Sequence, residues 1–86
     1  MTDSDYANHI TDLLISLENL INIADYSNLD DISHKRIVFS NDVINNAITK
    51  GYCEYHLIDW SDYEQFHDER KRIMQKYRSK LYLGCE

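Results

Sequence analysis

The stretch SDYANHITDLLISLENLINIA, residues 4–24, decides the fold class. At about 100° per residue, Ile10, Leu13, Leu14, Leu17, Leu20, Ile21 and Ala24 fall within an arc of roughly 120°, the width of a core-facing helical stripe. Asp3 or Ser4 is placed to cap the first amides. Ile15 and Ile23 miss the stripe and fall among Asn8, Asp12, Asn19 and Asn22. Two isoleucines on a face otherwise made of Asn and Asp point either to a wider wrap of the same core or to a second contact surface, for a partner or a second copy of the chain.

A matching pattern occurs at the other end of the chain. Ser61-Asp62-Tyr63-Glu64 has the spacing of a capping box, in which Ser61 accepts from the third helical amide and Glu64 reaches back. The helix it opens should run to Leu83 and stop at Gly84, with Tyr63, Phe66, Ile73, Met74, Tyr77 and Leu81 as its apolar stripe.

The segment between them leaves two readings open. Tyr26 to Asp31 reads as a turn feeding another helix, capped by Asn28 or Asp30. In the first reading Ile37-Val38-Phe39 is strand or helix, and Ser40 or Asn41 caps a short helix that buries Val43, Ile44, Ala47 and Ile48 and closes at Lys50-Gly51. In the second, residues 30–50 form one helix with two apolar stripes, Ile32, Phe39 and Val43 on one and Ile37, Ile44 and Ile48 on the other. Such a helix would be sandwiched between neighbours. Tyr52 to Trp60 is the densest aromatic stretch and reads as a short helix or an extended connector. With no Pro and two Gly there are few hairpin breakers. The expectation is an all-α single domain over residues 1–86, a bundle of three to four helices with long N-terminal and C-terminal members.

The 86 residues carry a formal charge of −6, unevenly spread. Residues 1–68 hold thirteen acids against three bases, a balance of −10, and residues 69–86 hold six bases against two acids, a balance of +4. That excludes a uniformly basic nucleic-acid coat. A hydrophobic content of 43%, with ten Ile, suffices for one small core. No apolar run approaches the 18 or so residues of a membrane span, and the acidic start lacks the basic-then-apolar order of a secretory signal, which points to the cytosol. Cys53 and Cys85 make no disulfide framework; both are expected reduced, with Cys53 a small buried hydrophobe.

Catalytic and metal chemistry find little footing. Cys53-x-x-His56 has ligand-like spacing, but the remaining donors, His67 and Cys85, have 17 residues between them on one expected helix, more than about 20 Å. Glu54 beside Cys53 raises a thiol pKa instead of activating it. No Gly-rich phosphate loop, nucleophile elbow or zinc-protease motif occurs. No catalytic residue, metal site or cofactor is expected.

Binding is the better expectation. Arg72, Lys76 and Lys80 form one row at i, i+4, i+8, where like charges repel. An acid-first, base-last order is what the helix dipole favours, so part of this pattern is structural. Arg70 falls in the middle of the apolar stripe and needs either an acid from another helix or a partner to meet it. Acids cluster with aromatics at Asp30, Asp31, Glu54, Tyr55, Asp59, Trp60, Asp62 and Tyr63. The leading expectation is a protein that binds a larger partner stoichiometrically, its acidic and aromatic residues meeting a basic surface such as that of a nuclease or nucleic-acid-binding complex. The chain resembles phage-encoded inhibitors of bacterial defence nucleases and immunity proteins for nuclease toxins in size and charge only; it carries no family motif. Two alternatives stay open. One is a small dimeric nucleic-acid-binding regulator using Arg70, Arg72, Lys76 and Lys80 on phosphates, disfavoured by the acidic remainder. The other is an oligomeric structural component with Ile15 and Ile23 on a self-interface.

Overall fold

The computed structural model describes residues 3–84, with the side chains of residues 5–82. Three helices, α1 (Asp3–Ile23), α2 (Asp31–Cys53) and α3 (Trp60–Gly84), run up, down and up, joined by connectors at 24–30 and 54–59. At 1.5 Å per residue they are roughly 32–38 Å long, which accounts for the elongated 44 × 19 × 16 Å shape. Each helix packs against both others. Among the described residues there is no strand, and no helix is long and apolar enough to cross a membrane. The all-α expectation holds, with the helix count at its lower value. The cap expected from Asp3 or Ser4, and Cys85, lie outside the described side chains.

The α1 stripe is buried as its periodicity requires: Ile10, Leu17 and Ile21 are fully enclosed, Leu14 nearly so, and Leu13, Leu20 and Ala24 pack at the margin. Ile37, Ile44 and Ile48 of α2 and Ile73, Met74 and Tyr77 of α3 complete the core. Burying each such side chain stabilises the fold by about 1.5–3 kcal/mol before chain entropy is charged against it. Tyr6 adds a contact the aliphatic pattern does not reveal. Its hydroxyl donates to the Ala47 carbonyl at 2.6 Å, and its ring lies on Gly51 so closely that a Cβ there would overlap it.

α2 resolves the two readings of the middle segment. It is one continuous helix, so Ser40 and Asn41 cap nothing and Ile37-Val38-Phe39 is helical. Asp30 is the N-cap, its carboxylate accepting from the Ser33 amide at 2.7 Å. The helix runs through Gly51 because that residue's role is to admit the Tyr6 ring. The left-handed backbone position falls instead at His56, with φ of 53°. Nor is α2 sandwiched: Ile37, Ile44 and Ile48 are buried, whereas Ile32, Phe39 and Val43 face outward. A three-helix bundle has only two neighbours to offer, and both lie on one side. Cys53, expected to be buried, is exposed at the end of α2, where the chain leaves the core.

α3 opens two residues earlier than the capping box predicts. Asp59 is the cap, its carboxylate accepting from the Asp62 amide at 2.8 Å and its carbonyl from the Tyr63 amide at 3.0 Å. Ser61 is already helical. A carboxylate at the positive end of a helix gains a charge-assisted bond that a hydroxyl lacks, and an earlier start lets Ile58 pin the connector into the core.

Candidate functional site

The end of the bundle where α2 stops and α3 begins gathers most of the predicted acidic and aromatic residues. The rings of Tyr52, Trp60 and Tyr63 contact one another with centroids 5.2–5.5 Å apart, Trp60 and Tyr63 nearly parallel at 18°. Below them the Tyr63 ring meets His67 edge to face at 4.5 Å. Beside them Tyr55 packs on Tyr6, which in turn meets His9. Although Tyr52 and Tyr63 are half-buried, Trp60 and Tyr55 stay 53% and 52% exposed. Glu54 and Glu64 stand exposed in the same segment, and Asp62 is half-buried in the first turn of α3. Because the rings sit on helix ends and on each other, they form a fixed platform with little rotamer entropy left to lose on binding.

Two of the predicted acids do not belong to it. Asp30 and Asp31 stand at the start of α2, about 33 Å of helix from Glu54. Asp30 serves as the cap, and its hydrogen bonds from Ser33 hold its carboxyl below the usual range. Asp31 pairs with Lys35 at 2.9 Å on an exposed turn. Asp59, though local to the platform, is engaged as the α3 cap.

The basic row is spent within the fold. Arg72 donates to Glu69 of its own helix and, at 3.1 Å, to Glu18 of α1. Lys76 reaches Glu18 at 3.8 Å, and Lys80 lies over the Tyr26 ring at 5.5 Å. The carboxylates of Glu69 and then Glu18 push the Arg72 guanidinium further up its already high range. Arg70 meets an amide where an acid was expected: Nη1 donates to Asn41 Oδ1 at 2.9 Å, and Nε to His67 Nδ1 at 3.4 Å. Burial lowers its pKa, partly offset by the charge of Asp42. Among the described residues, the α3 cations with no ion pair, hydrogen bond or ring contact are Lys71 and Arg78, which flank a shallow outer depression with Gln75, Ser79 and Tyr82.

One feature of the structure is not singled out by the sequence, and the exposure of a second is not decided by it. His67 is 7% exposed, and its Nε2 has no hydrogen-bond partner. Since Arg70 donates to Nδ1, the ring proton sits on Nε2. Burial, and then the charges of Arg70 and Lys71, push its pKa down, so the ring stays neutral. The second feature is an apolar stripe along the outer edge of the α1–α2 seam. Ile23, Ile32 and Phe39 are each more than two-thirds exposed, and Val43 joins them at 40%. Phe39 and Val43 line a groove of about 170 Å3 with Leu13 and Leu17, and Ile23 lines a neighbouring one with Leu20 and Arg36. The helical angles of Lys35, Arg36 and Lys50 were the available signal. Cations flanking one of two apolar stripes mark that stripe as the solvent-facing one.

The structure also separates the two isoleucines that shared a face of α1. Ile15 lines a groove of about 350 Å3 between α1 and α3, with Phe66 opposite, whereas Ile23 belongs to the α1–α2 side. Comparison with known proteins adds no guide to any of these surfaces: no family model matches the chain, and no curated protein or solved structure is significantly similar to it.

Proposed function

We propose that this protein is a stoichiometric protein-binding module whose aromatic end docks a basic segment of a larger partner. The observation that carries this reading is Trp60, half exposed and stacked on Tyr63, on a segment that also carries the exposed Glu54 and Glu64. A rigid aromatic face on a segment that also carries exposed carboxylates suits an arginine or lysine side chain. The ring quadrupole attracts the cation, the carboxylates attract it from a distance, and the platform is already ordered. Neutralising a nuclease or another nucleic-acid-binding complex, as a phage anti-defence or immunity-type inhibitor does, is one form such an activity takes. The alternative of phosphate binding through α3 has less behind it, because Arg72 and Lys76 are paired with carboxylates and Arg70 is bonded to Asn41.

The test uses tagged wild-type protein and Trp60→Ala in capture from host extract, alongside Lys71→Ala/Arg78→Ala. Capture of a basic protein should fall at least about tenfold for Trp60→Ala, the loss of one hot-spot residue, and should weaken with salt. It should be untouched by the Lys71/Arg78 change. Wild-type protein that captures nothing, yet shifts duplex DNA in a manner lost with Lys71→Ala/Arg78→Ala, overturns the proposal in favour of nucleic-acid binding.

A further inference from the structure

The apolar stripe on the α1–α2 seam is unused by the aromatic end, which lies at the far end of α2. Ile32, Phe39 and Val43 recur at i, i+7 and i+11 on α2, and Ile23, Leu20 and Leu13 border them from α1. Four of the large apolar side chains that the structure leaves open are collected on this face, while Tyr55 and Trp60 belong to the aromatic end and Ile15, Val38 and Tyr82 lie elsewhere. Together they amount to roughly 500 Å2, in the range of about 300–600 Å2 that marks the largest patch on a monomer and is often functional. A chain this short has a core of limited size, and association is a common way for such a domain to use surplus apolar surface.

We infer that this face is the interface of a symmetric homodimer, with a second copy of the chain as its occupant. Charge selects that occupant. α1 carries Asp3, Asp5, Asp12 and Glu18 and no Lys or Arg, and of these Glu18 is taken up on the α3 side, by Arg72 and Lys76. α2 carries Lys35, Arg36 and Lys50 against Asp31 and Asp42. A two-fold axis lying in the face and parallel to the helices sets α1 of each protomer opposite α2 of the other. The acidic helix then meets the net basic one twice, and Phe39 enters the partner's seam. The alternative two-fold, with α1 facing α1, brings carboxylates together and is disfavoured. A patch of this size plus its polar rim approaches the roughly 800 Å2 per partner of a standard interface from below, so the dimer is a weak one that dilution dissociates.

Sedimentation equilibrium of the full chain, from about 1 to about 300 µM, tests this directly. Wild-type protein should pass from monomer to dimer within that range. Phe39→Glu should raise the dimer dissociation constant at least about tenfold, because it would bury an unpaired carboxylate in an apolar seam. At concentrations low enough that both proteins are monomeric, its helical circular dichroism and melting should match wild type, since Phe39 is largely exposed in the monomer. Ile32→Glu serves as the second variant should Phe39→Glu not fold, with the same loss expected. Ile15→Glu, on the α1–α3 side, should leave the dimer intact. A wild-type protein that stays monomeric across the range overturns the inference, and so does a dimer dissociated by Ile15→Glu but not by Phe39→Glu or Ile32→Glu. Neither result bears on capture of a partner through Trp60, so this inference and the proposed function fail independently.

Discussion

The two seams that α1 makes with its neighbours are closed in opposite ways. Against α3, the outer edge is electrostatic: Glu18 stands between Arg72 and Lys76, and Glu69 braces Arg72 from behind. Against α2, the outer edge is apolar and open, with Ile23, Ile32, Phe39 and Val43 beyond a core of Ile37, Ile44 and Ile48. The contrast explains the polarity of the chain. The basic half of α3 compensates the acidic α1 inside one molecule. The apolar excess of α2 has no such compensation among the described residues, which is why we propose it as an interface. Charge pairs found within a fold are subtracted from what its surface offers, whereas unburied apolar side chains are added to it.

The largest predicted effect separates the core of the open seam from its edge. Ile44 is 1% exposed and Phe39 68%. Ile44→Ala should cost about 2–4 kcal/mol in urea unfolding at low protein concentration, the sum of a transfer term and a cavity term. Phe39→Ala under the same conditions should stay within about 0.5 kcal/mol of wild type. Equal losses for the two would mean that Phe39 is buried in the monomer and that the seam is closed.

That line between core and edge is also where the sequence stops being legible. The α1 and α3 stripes could be read because each helix has one apolar arc and a polar remainder, so periodicity alone assigns the buried side. α2 has two arcs, and periodicity cannot tell a helix with neighbours on both sides from one with an arc to spare. The caps show a similar limit. Asp30 was one of two caps the sequence offered, beside Asn28, and the fold chose it, while Asp59 was hidden behind a better-looking Ser61–Glu64 pair, and tertiary packing of Ile58 decided between them. At the candidate site, the clustering of Glu54, Tyr55, Trp60, Asp62 and Tyr63 followed from their closeness in sequence. That Asp30 and Asp31 lie a helix length away, and that Glu18 neutralises Arg72 and Lys76, depends on which faces of distant helices meet, and no local pattern records it.

A second prediction concerns the seam between α2 and α3 just below the aromatic platform, where His67 is buried neutral. Its folded-state pKa lies below its unfolded value of about 6.5. Above that value neither state is protonated and His67 contributes no pH dependence. As pH falls below it, the unfolded chain binds a proton that the folded one refuses, so stability declines until the folded-state pKa is passed. The urea midpoint of wild-type protein should therefore drop between pH 7 and pH 5, before Glu69, Asp30 and Asp25, whose carboxyls are held low by hydrogen bonds, begin to protonate. His67→Gln should flatten the profile over that interval. An unchanged slope would show that water or a protein acceptor reaches Nε2.

The smallest expected effect lies in the electrostatic seam itself. Glu18→Gln removes the α1 carboxylate from Arg72 and Lys76, yet Arg72 keeps Glu69 and the site is open to solvent. Exposed pairs of this kind contribute about 0.2–1 kcal/mol, so the loss in urea unfolding should stay below about 1 kcal/mol and shrink as salt screens the remaining charges. A double-mutant cycle with Arg72→Gln isolates the cross-helix bond from the one to Glu69. A coupling near zero would mean that apolar contact alone, through Leu14, Phe66 and Ile73, holds α1 to α3. The basic row would then be as available to a partner as its sequence suggests. A coupling that is measurable at low salt and vanishes at high salt fixes Arg72 as an internal contact. The proposed partner would then be expected to meet the segment of Glu54, Trp60 and Glu64 with a basic surface.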